Sequence, residues 1–517
     1  MRDWAGLSRA CEGISCDWRG ITRDSRVDSR DSKVDTGCGG PVSGDWTATA
    51  LAVGPSVGEV HPRLAEDLKS LPELLDAARK LAGEALAGLP ERPAAVPPGD
   101  PVRAPLPLEG VGGQGALEAF SQRWEAGFAG SAGPRYLGFV TGGATPASLA
   151  GDWLTATYDQ NPASGMDSSA QDLERETVGW LAELFGLGAE FSGAFVTGAT
   201  MSTVTGLAIA REWLGERARV SVSDDGAAAL GPVTVLSGSP HSSILKALSF
   251  LGMGRSALRK VPVLPGREAV DVAKLAEALE SLDGPAVVVA NAGTVNTVDF
   301  DDLRAIAALK QRYDFWLHVD AAFGGFAALS PEHAALTAGL DQADSVVVDL
   351  HKWLNVPYDS AVQFTRRRDL QLRVFSNNAA YLGEIGETPD FLHLTPENSR
   401  RLRALPAWFS LVAYGRDGHR EIVERCVSLA RDLGARIDGS PRWRLLAPVR
   451  LNVVCFAPAG GGDVDALVRA IAEEGTTFLT PTVYDGRPAL RAAFSNWQTT
   501  TADVDRVFAA LERVATG

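Results

Sequence analysis

Five short, continuously apolar and largely β-branched runs constrain the fold of this chain more than any other feature of its sequence. They lie within GAFVTGAT (193–200), VTVLSGSP (233–240), AVVVANAG (286–293), WLHVDAAF (316–323) and SVVVDL (345–350). Strands of this composition are usually buried on both faces, as in a parallel sheet. Stretches with helical spacing of apolar residues lie between them, such as LERETVGWLAELFGL (173–187). The pattern predicts an α/β fold with a mainly parallel sheet and right-handed crossovers.

The remaining sequence divides into further predicted parts, because 517 residues exceed the ~100–200 residues of a typical single domain. Residues 1–57 contain the charged tract RDSRVDSRDSKVD and no apolar periodicity, which predicts a disordered tail. Residues 58–144 are interpreted as an N-terminal helical arm and a Pro-rich linker. Residues 145–405 are expected to form the large α/β domain. Residues 406–517 are expected to form a smaller α+β C-terminal domain.

Charge and cysteine content exclude several classes of protein. The net charge of −15 argues against nucleic acid as a partner. The sequence contains no uncharged apolar stretch of ~18 residues, so no membrane span is expected. The five cysteines are few, odd in number and without strong metal-ligand spacing, which favours free thiols in a reducing cytoplasm and no metal site.

Polar side chains follow each predicted strand at its carboxyl end, where open α/β sheets bind ligands. They are Thr197 and Thr200 in a glycine-containing turn, His241, Thr294, Asp320, and the pair His351 and Lys352. Alone, each has an ordinary explanation: a helix cap, a satisfied polar residue or a lysine that extends to solvent. Together they fit pyridoxal phosphate. Its phosphate can bind at a helix N-terminus, and its protonated ring nitrogen can pair with an aspartate. An imidazole can lie against the face of its ring, and a lysine amine can react with its aldehyde.

Four motifs carry a resemblance to a known family over roughly residues 115–515. They are HVDAAFGG (318–325), HKWLNVPYD (351–359), SPHSSILKA (239–247) and VTGATMSTVTGLAIAR (196–211). With them the chain resembles the group II pyridoxal-phosphate-dependent amino acid decarboxylases, which include the aromatic-L-amino-acid, histidine and glutamate decarboxylases. The resemblance implies the aspartate-aminotransferase fold (fold type I) and an obligate homodimer whose N-terminal helices pack across the interface.

The resemblance also implies roles for individual residues. Lys352 would hold the cofactor as a Schiff base, and Asp320 would pair with its pyridine nitrogen. Ala322 and His241 would lie against the two ring faces. The other implied cofactor contacts are Ala199 and Thr200 at the phosphate, Thr294 and His351.

Two positions depart from the family pattern. Asp349 stands where the family more often has asparagine. Because an acid beside a phosphate would repel it, Asp349 is expected to point elsewhere. Val295 stands where many relatives have a second threonine.

The stretch VFSNNAAYLGEIGETPDF (374–391) bears on the reaction type. In the relatives this region is a mobile loop whose tyrosine protonates the carbanion left after CO2 departs. Tyr381 follows Lys352 at a similar spacing, so it is the expected general acid. Relatives that oxidise the intermediate to an aldehyde often carry phenylalanine there, and tyrosine therefore favours simple decarboxylation.

The segment RYLGFVTGGATP (135–146) matches the one that lines the substrate pocket in relatives. Phe139 would present an aromatic wall, and Arg135 is the only arginine there that could receive a second carboxylate. An aromatic or other apolar L-amino acid is the leading substrate, with glutamate or a diamino acid as the alternative. A same-fold aminotransferase or a decarboxylating oxidase also remains open. A dinucleotide-binding enzyme is disfavoured because no G-x-G-x-x-G follows the first strand.

Overall fold

The computed structural model of the protein describes residues 60–99, 103–377 and 385–515. Residues from Arg63 onward form one compact unit, and the unit before it, Met1–Pro62, is described only at 60–62. The predicted tail at 1–57 and the predicted general acid Tyr381 lie outside the described residues. The predicted domain boundaries remain predictions.

The α-helices of the described residues are numbered along the chain. They are α1 Pro62–Lys69, α2 Leu71–Gly88, α3 Gly112–Arg123, α4 Pro146–Tyr158, α5 Ala170–Leu184, α6 Ala199–Ala218, α7 Val222–Asp225, α8 Ser242–Phe250, α9 Val272–Glu280, α10 Leu303–Ala308, α11 Leu350–Trp353, α12 Arg368–Phe375, α13 Ala404–Gly439, α14 Val464–Glu474 and α15 Thr501–Val514. Helix α13 is interrupted at Gly415, whose φ of 59° and ψ of −171° are not helical.

The strands form two sheets. They are β1 Ser192–Val196, β2 Val235–Ser237, β3 Leu258–Lys260, β4 Ala286–Asn291, β5 Phe315–Asp320, β6 Ser345–Val348, β7 Ala361–Thr365, β8 Trp443–Leu445, β9 Val453–Pro458, β10 Thr480–Tyr484 and β11 Arg487–Ala493. The large sheet has the order β1-β7-β6-β5-β4-β2-β3. Strands β3, β2, β4, β5 and β6 pair in parallel, and only β7 runs antiparallel to its neighbours β1 and β6.

The large sheet confirms the predicted α/β fold. The five apolar runs of the sequence form β1, β2, β4, β5 and β6, while sequence reasoning missed β3 and β7. Alternate residues of β4 pack on opposite faces. Val287 and Val289 join α6 and α8 in one apolar cluster, and Val288 and Ala290 belong to another. Both faces of the sheet are therefore covered, which is why its strands read as uninterrupted apolar runs.

A second sheet confirms a separate C-terminal region. Its order is β10-β11-β9-β8, with antiparallel pairing throughout. Helix α13 packs against β8 and β9 of this sheet and also against α4 and α5, so it joins the two halves of the molecule. None of the described helices is long and apolar enough to cross a membrane.

The connection from β6 to β7 explains where Lys352 lies. Asp349 precedes the single turn of α11, whose Leu350 and Trp353 are buried in the core. The two residues between them, His351 and Lys352, line a cavity instead. The apolar run of β6 thus ends where the chain turns these side chains out of the core, beside the carboxyl ends of β4 and β5.

Candidate active site

A cavity of about 290 Å³ lies at the carboxyl ends of the parallel strands. It brings together most of the residues that the sequence analysis selected. Those that line it are Phe139, Ala199, Thr200, His241, Asp320, Ala322, His351 and Lys352. The cavity also contains residues that the sequence analysis did not assign to the site, above all Asp349 and Arg491.

Lys352 lies within the cavity with most of its side chain shielded from solvent. Its Nζ is 3.3 Å from Asp349 Oδ2. The same nitrogen lies 5.5 Å from the centroid of the Phe323 ring, in a cation–π arrangement. The amine therefore has a defined position, held by a carboxylate and an aromatic ring.

Asp320 ends β5 and lies beside Asn291, its register partner at the end of β4. Its Oδ1 accepts a hydrogen bond from the backbone N–H of Ala322 at 3.1 Å, which orients the carboxylate. The side chain is largely buried at the wall of the cavity. A carboxylate in such a place is suited to pair with a protonated ring nitrogen.

His241 is the N-cap of α8, and this role fixes the orientation of its ring. Its Nδ1 accepts a hydrogen bond from the backbone N–H of Ser243 at 3.2 Å and lies 2.8 Å from Ser243 Oγ. Although part of the residue is open to the cavity, loss of water around the ring lowers the pKa of His241. The ring is therefore neutral near pH 7, as suits stacking against a flat heterocycle.

The N-terminus of α6 offers an anion-binding site. This helix has 20 residues and begins after Gly198, and no side chain caps its first turn. Its first residues, Ala199, Thr200 and Met201, line the cavity. Because unpaired N–H groups and the helix dipole favour negative charge there, this end suits a phosphate.

Thr294 does not line the cavity. Its buried hydroxyl donates to Glu268 Oε2 at 2.6 Å and accepts from the backbone N–H of Asp299 at 2.9 Å. Its neighbours Gly293 and Val295 line the cavity instead. The cofactor contact of Thr294 remains a prediction.

Asp349 occupies a place that the sequence analysis did not foresee. It lines the cavity and is 2% exposed, while the expectation that it points away from the phosphate remains a prediction. Its Oδ1 lies 3.1 Å from His351 Nδ1, although neither atom forms a well-aligned hydrogen bond. Burial lowers the pKa of His351, and the nearby Asp349 opposes this shift in part. The attraction to the Lys352 ammonium explains why an acid is tolerated here.

Arg491 is a site residue that sequence reasoning missed. It lies on β11 in the C-terminal sheet and reaches the cavity, where it is 6% exposed. Its Nη1 donates to the backbone oxygen of Val295 at 2.7 Å. Burial lowers the pKa of the guanidinium below its ordinary value. An arginine is nevertheless always charged in practice, so it supplies a cation to the cavity that Lys352 also lines. A lone arginine in a strand gives no sequence signal of this role.

Phe139 and Arg135 bear on the substrate. Phe139 lines the cavity with its side chain largely exposed, and both Phe139 and Val140 have positive φ values, 56° and 64°. Arg135 instead points into the protein, where it contacts Asp503 at 3.4 Å and donates to the backbone oxygen of Pro90. Arg135 is thus not available to a second carboxylate in the cavity.

The arrangement fits pyridoxal phosphate on structural grounds. A lysine amine, an oriented carboxylate, a neutral imidazole and an uncapped helix N-terminus converge on one cavity. Among the described residues, no group of three or more His, Cys, Asp or Glu side chains could hold a metal ion.

Comparison with known proteins agrees with this geometry. The family described as "Pyridoxal-dependent decarboxylase conserved domain" matches residues 124–458. Aromatic-L-amino-acid decarboxylase of Bacillus atrophaeus is 28% identical over 403 residues, which are 74% of this chain and 81% of that protein. L-2,4-diaminobutyrate decarboxylase of Acinetobacter baumannii is 27% identical over 340 residues, 62% of this chain and 65% of that protein.

A solved structure shares the fold. The structure of Oryza sativa TDC with PLP and tryptamine aligns with a TM-score of 0.81 at 22% sequence identity, covering 89% of this chain and 99% of that one. The two named relatives act on different side chains, one aromatic and one cationic, so the comparisons leave the substrate open.

Proposed function

The chain belongs to the pyridoxal-dependent decarboxylase family, and on this premise we propose that it converts an L-amino acid with an aromatic or other apolar side chain to the amine and CO2. The enzyme class, a carboxy-lyase that uses pyridoxal phosphate, follows from the family itself. The proposal concerns the substrate class and the residues that act on it.

One observation carries the substrate class. Among the described residues that line the cavity, the lysine and arginine side chains are Lys352 and Arg491. Lys352 is assigned to the cofactor, which leaves Arg491 for the carboxylate that every amino acid has. A second carboxylate would have no cationic partner, since Arg135 is bound elsewhere. Phe139 instead offers an aromatic surface.

The residues of the cavity divide the work of binding and orientation. Lys352 would attach the cofactor through its aldehyde carbon, Asp320 would hold a proton on the ring nitrogen, and His241 would lie on the ring face. Ala199 and Thr200 would bind the phosphate through the end of α6. When bound, the cofactor supplies an electron sink that weakens bonds at the amino acid's α-carbon.

Reaction specificity then depends on how the protein orients the substrate. A decarboxylase must hold the carboxylate out of the plane of the ring, which is a positioning effect. Arg491 and Phe139 are the described residues that we assign to this task, because one offers charge and the other an apolar surface within the same cavity. Tyr381 would return a proton to the α-carbon.

The proposal is tested by incubating the purified holoenzyme with a panel of L-amino acids and measuring CO2, amine and keto acid together. Aromatic substrates are expected to exceed glutamate in kcat/KM by roughly 10²-fold, because an unpaired buried carboxylate costs several kcal/mol. A diamino acid is the second candidate, favoured by the relative that decarboxylates 2,4-diaminobutyrate. Keto acid without CO2 would instead identify an aminotransferase.

Replacement of Tyr381 by phenylalanine is expected to lower amine formation roughly 10²–10⁴-fold, because the hydroxyl is the assigned proton donor. Aldehyde and hydrogen peroxide are expected to appear in place of amine. Both are measured under air, with Tyr484→Phe in β10 as the matched control. Unchanged amine output in Tyr381→Phe would remove this residue from the mechanism.

We further propose a homodimer. Helices α1 and α2 bury none of their residues within this chain, and Leu64, Leu68 and Leu75 are more than half exposed. An amphipathic helix with an uncovered apolar face needs a partner surface. Family resemblance supports a second copy of the chain as that partner.

Sedimentation of the holoenzyme is expected to give a species of twice the 54.6 kDa chain mass. Leu68→Glu on α1 is expected to weaken the dimer, because it places a charge in the apolar face. Leu245→Glu on α8, at another exposed leucine, is the control and is expected to leave the dimer intact. A monomeric, fully active enzyme would refute this proposal.

A cytoplasmic location is also proposed. The chain has five cysteines in 517 residues, and the two in the described part, Cys426 and Cys455, are free and buried. Sparse free thiols are typical of a reducing compartment.

A further inference from the structure

The buried carboxylate of Asp349 lies between two functional side chains. Oδ2 is 3.3 Å from Lys352 Nζ, and Oδ1 is 3.1 Å from His351 Nδ1. The residue is 2% exposed, so its charge needs a partner close by. Asp349 therefore belongs to the immediate surroundings of the reactive amine.

Of its two neighbours, only Lys352 balances the charge of Asp349. Burial lowers the pKa of His351, so the imidazole is neutral near pH 7. The second cation that lines the cavity, Arg491, donates to the backbone oxygen of Val295. The Lys352 ammonium is left as the ion-pair partner of Asp349.

The remaining ionisable groups that face Lys352 do not replace this partner. Asp320 lines the same cavity, but its carboxylate is oriented by the N–H of Ala322, and no ion pair joins it to Lys352 among the described contacts. His241 is neutral and engaged with Ser243. The Phe323 ring, 5.5 Å away, stabilises a cation without neutralising it.

We propose that Asp349 is a positioning residue that holds the Lys352 amine as an ammonium ion and thereby limits its reaction with aldehydes. An ammonium nitrogen has no lone pair. It must first give a proton to a base before its nitrogen can bond to an aldehyde carbon, and the aldehyde oxygen then leaves as water. The ion pair with Asp349 opposes the loss of that proton.

An asparagine at this position would act differently, although its shape is the same. Asparagine carries no charge, so the ammonium of Lys352, only 18% exposed, would be buried without its partner. A buried charge without a partner is unfavourable, and this cost disappears when the amine gives up its proton. The carboxylate thus makes the amine of this chain less reactive than an amide would.

The test measures the amine directly in the full-length apoprotein. Formaldehyde with cyanoborohydride methylates lysines, and peptide mass spectrometry reports the rate at Lys352 relative to exposed Lys246 in the same molecule. Asp349→Asn is expected to raise the relative rate at Lys352 roughly 10-fold, because the neutral amide removes the carboxylate that lies 3.3 Å from the Lys352 nitrogen. Asp349→Glu is expected to restore the slow rate.

Two controls keep the test decisive. Asp349→Ser is a second neutral variant that is expected to match Asp349→Asn, and it replaces that variant if asparagine impairs folding. Asp314→Asn, on the surface, is expected to leave the rate unchanged. Unaltered or slower methylation of Lys352 in both neutral variants would overturn the proposal.

A binding measurement separates an effect on the amine from an effect on the phosphate. Pyridoxal has an aldehyde and no phosphate, and pyridoxamine 5′-phosphate has a phosphate and no aldehyde. Faster uptake of pyridoxal by Asp349→Asn supports the proposal. A gain confined to pyridoxamine 5′-phosphate would overturn it, because Asp349 would then act by repelling the phosphate.

The inference rests on the proposed role of Lys352, but its test does not depend on decarboxylation. Should the substrate panel yield no amine while methylation responds as expected, the proposed function alone would fail. Should methylation not respond while amine and CO2 appear, the role of Asp349 alone would fail.

Discussion

The Lys352→Ala variant is expected to lose decarboxylase activity by roughly 10³-fold or more. Lys352 is the described lysine that lines the cavity, and its Nζ is held by Asp349 and Phe323. Alanine removes the nitrogen and leaves the anion site at α6 in place. Cofactor is therefore expected to bind weakly and to be lost on dialysis.

Amine release and borohydride trapping measure this result. Borohydride is expected to fix the cofactor irreversibly to wild type and not to Lys352→Ala. Lys246→Ala, on the exposed face of α8, is the matched control and is expected to behave as wild type. A Lys352→Ala enzyme that keeps a tenth of its activity would place the reactive amine elsewhere.

Asp320→Asn is expected to lower kcat by roughly 10²–10³-fold, the range found when one electrostatic contact to a developing charge is removed. The substitution keeps the side-chain oxygen that accepts from Ala322 N–H, so the local structure should persist. It removes the negative charge that would hold a proton on the ring nitrogen. Only the electronic role of Asp320 is thereby altered.

The distinction from Lys352→Ala lies in the trapping experiment. Because Lys352 remains, borohydride is expected to fix cofactor to Asp320→Asn as it does to wild type. Asp314→Asn, whose exposed carboxylate pairs with Arg217, serves as the control for loss of one acid. Full activity in Asp320→Asn would show that the ring nitrogen needs no anionic partner.

Much of the large sheet was predictable because its strands are buried on both faces. Runs such as AVVVAN in β4 have no polar face. This pattern can be recognised in the sequence without knowing which strands lie next to the run. Strand β3 consists of Leu258–Lys260, with two exposed basic residues, and carries no such pattern. Strand β7 contains a buried glutamine, Gln363, whose partner Gln371 lies on α12. Such pairing cannot be read from a local window.

The site residues that could be predicted are those that stand at or just beyond the carboxyl end of a predicted strand. Asp320 ends its strand, His241 and Lys352 each stand four residues beyond the end of theirs, and the parallel sheet brings the three together. Thr294 also follows a strand, but Glu268, 26 residues earlier, accepts its hydroxyl and keeps it out of the cavity. Arg491 comes from the other sheet, and Asp349 is held by the charge of Lys352. Contacts between distant segments decide the cases of Thr294 and Arg491, and a local ion pair decides that of Asp349.

Hydrogen bonds hold the segment between β6 and β7 at both of its ends and in its middle. The oxygen of Ser360 accepts from the backbone N–H groups of Leu350 and His351. Asn355 Nδ2 donates to the oxygens of Gly142 and Ser495, which belong to two other regions of the chain. No spare length remains in this segment to absorb an added or deleted residue.

Evolution of this enzyme is therefore expected to proceed by substitution, and not by insertion or deletion, between residues 349 and 360. A one-residue change of length would shift the amine relative to the strand ends that carry Asp320 and His241. A library intended to alter substrate choice should keep this length constant. It should place its diversity around Phe139, which stands at the opening of the cavity and is largely exposed.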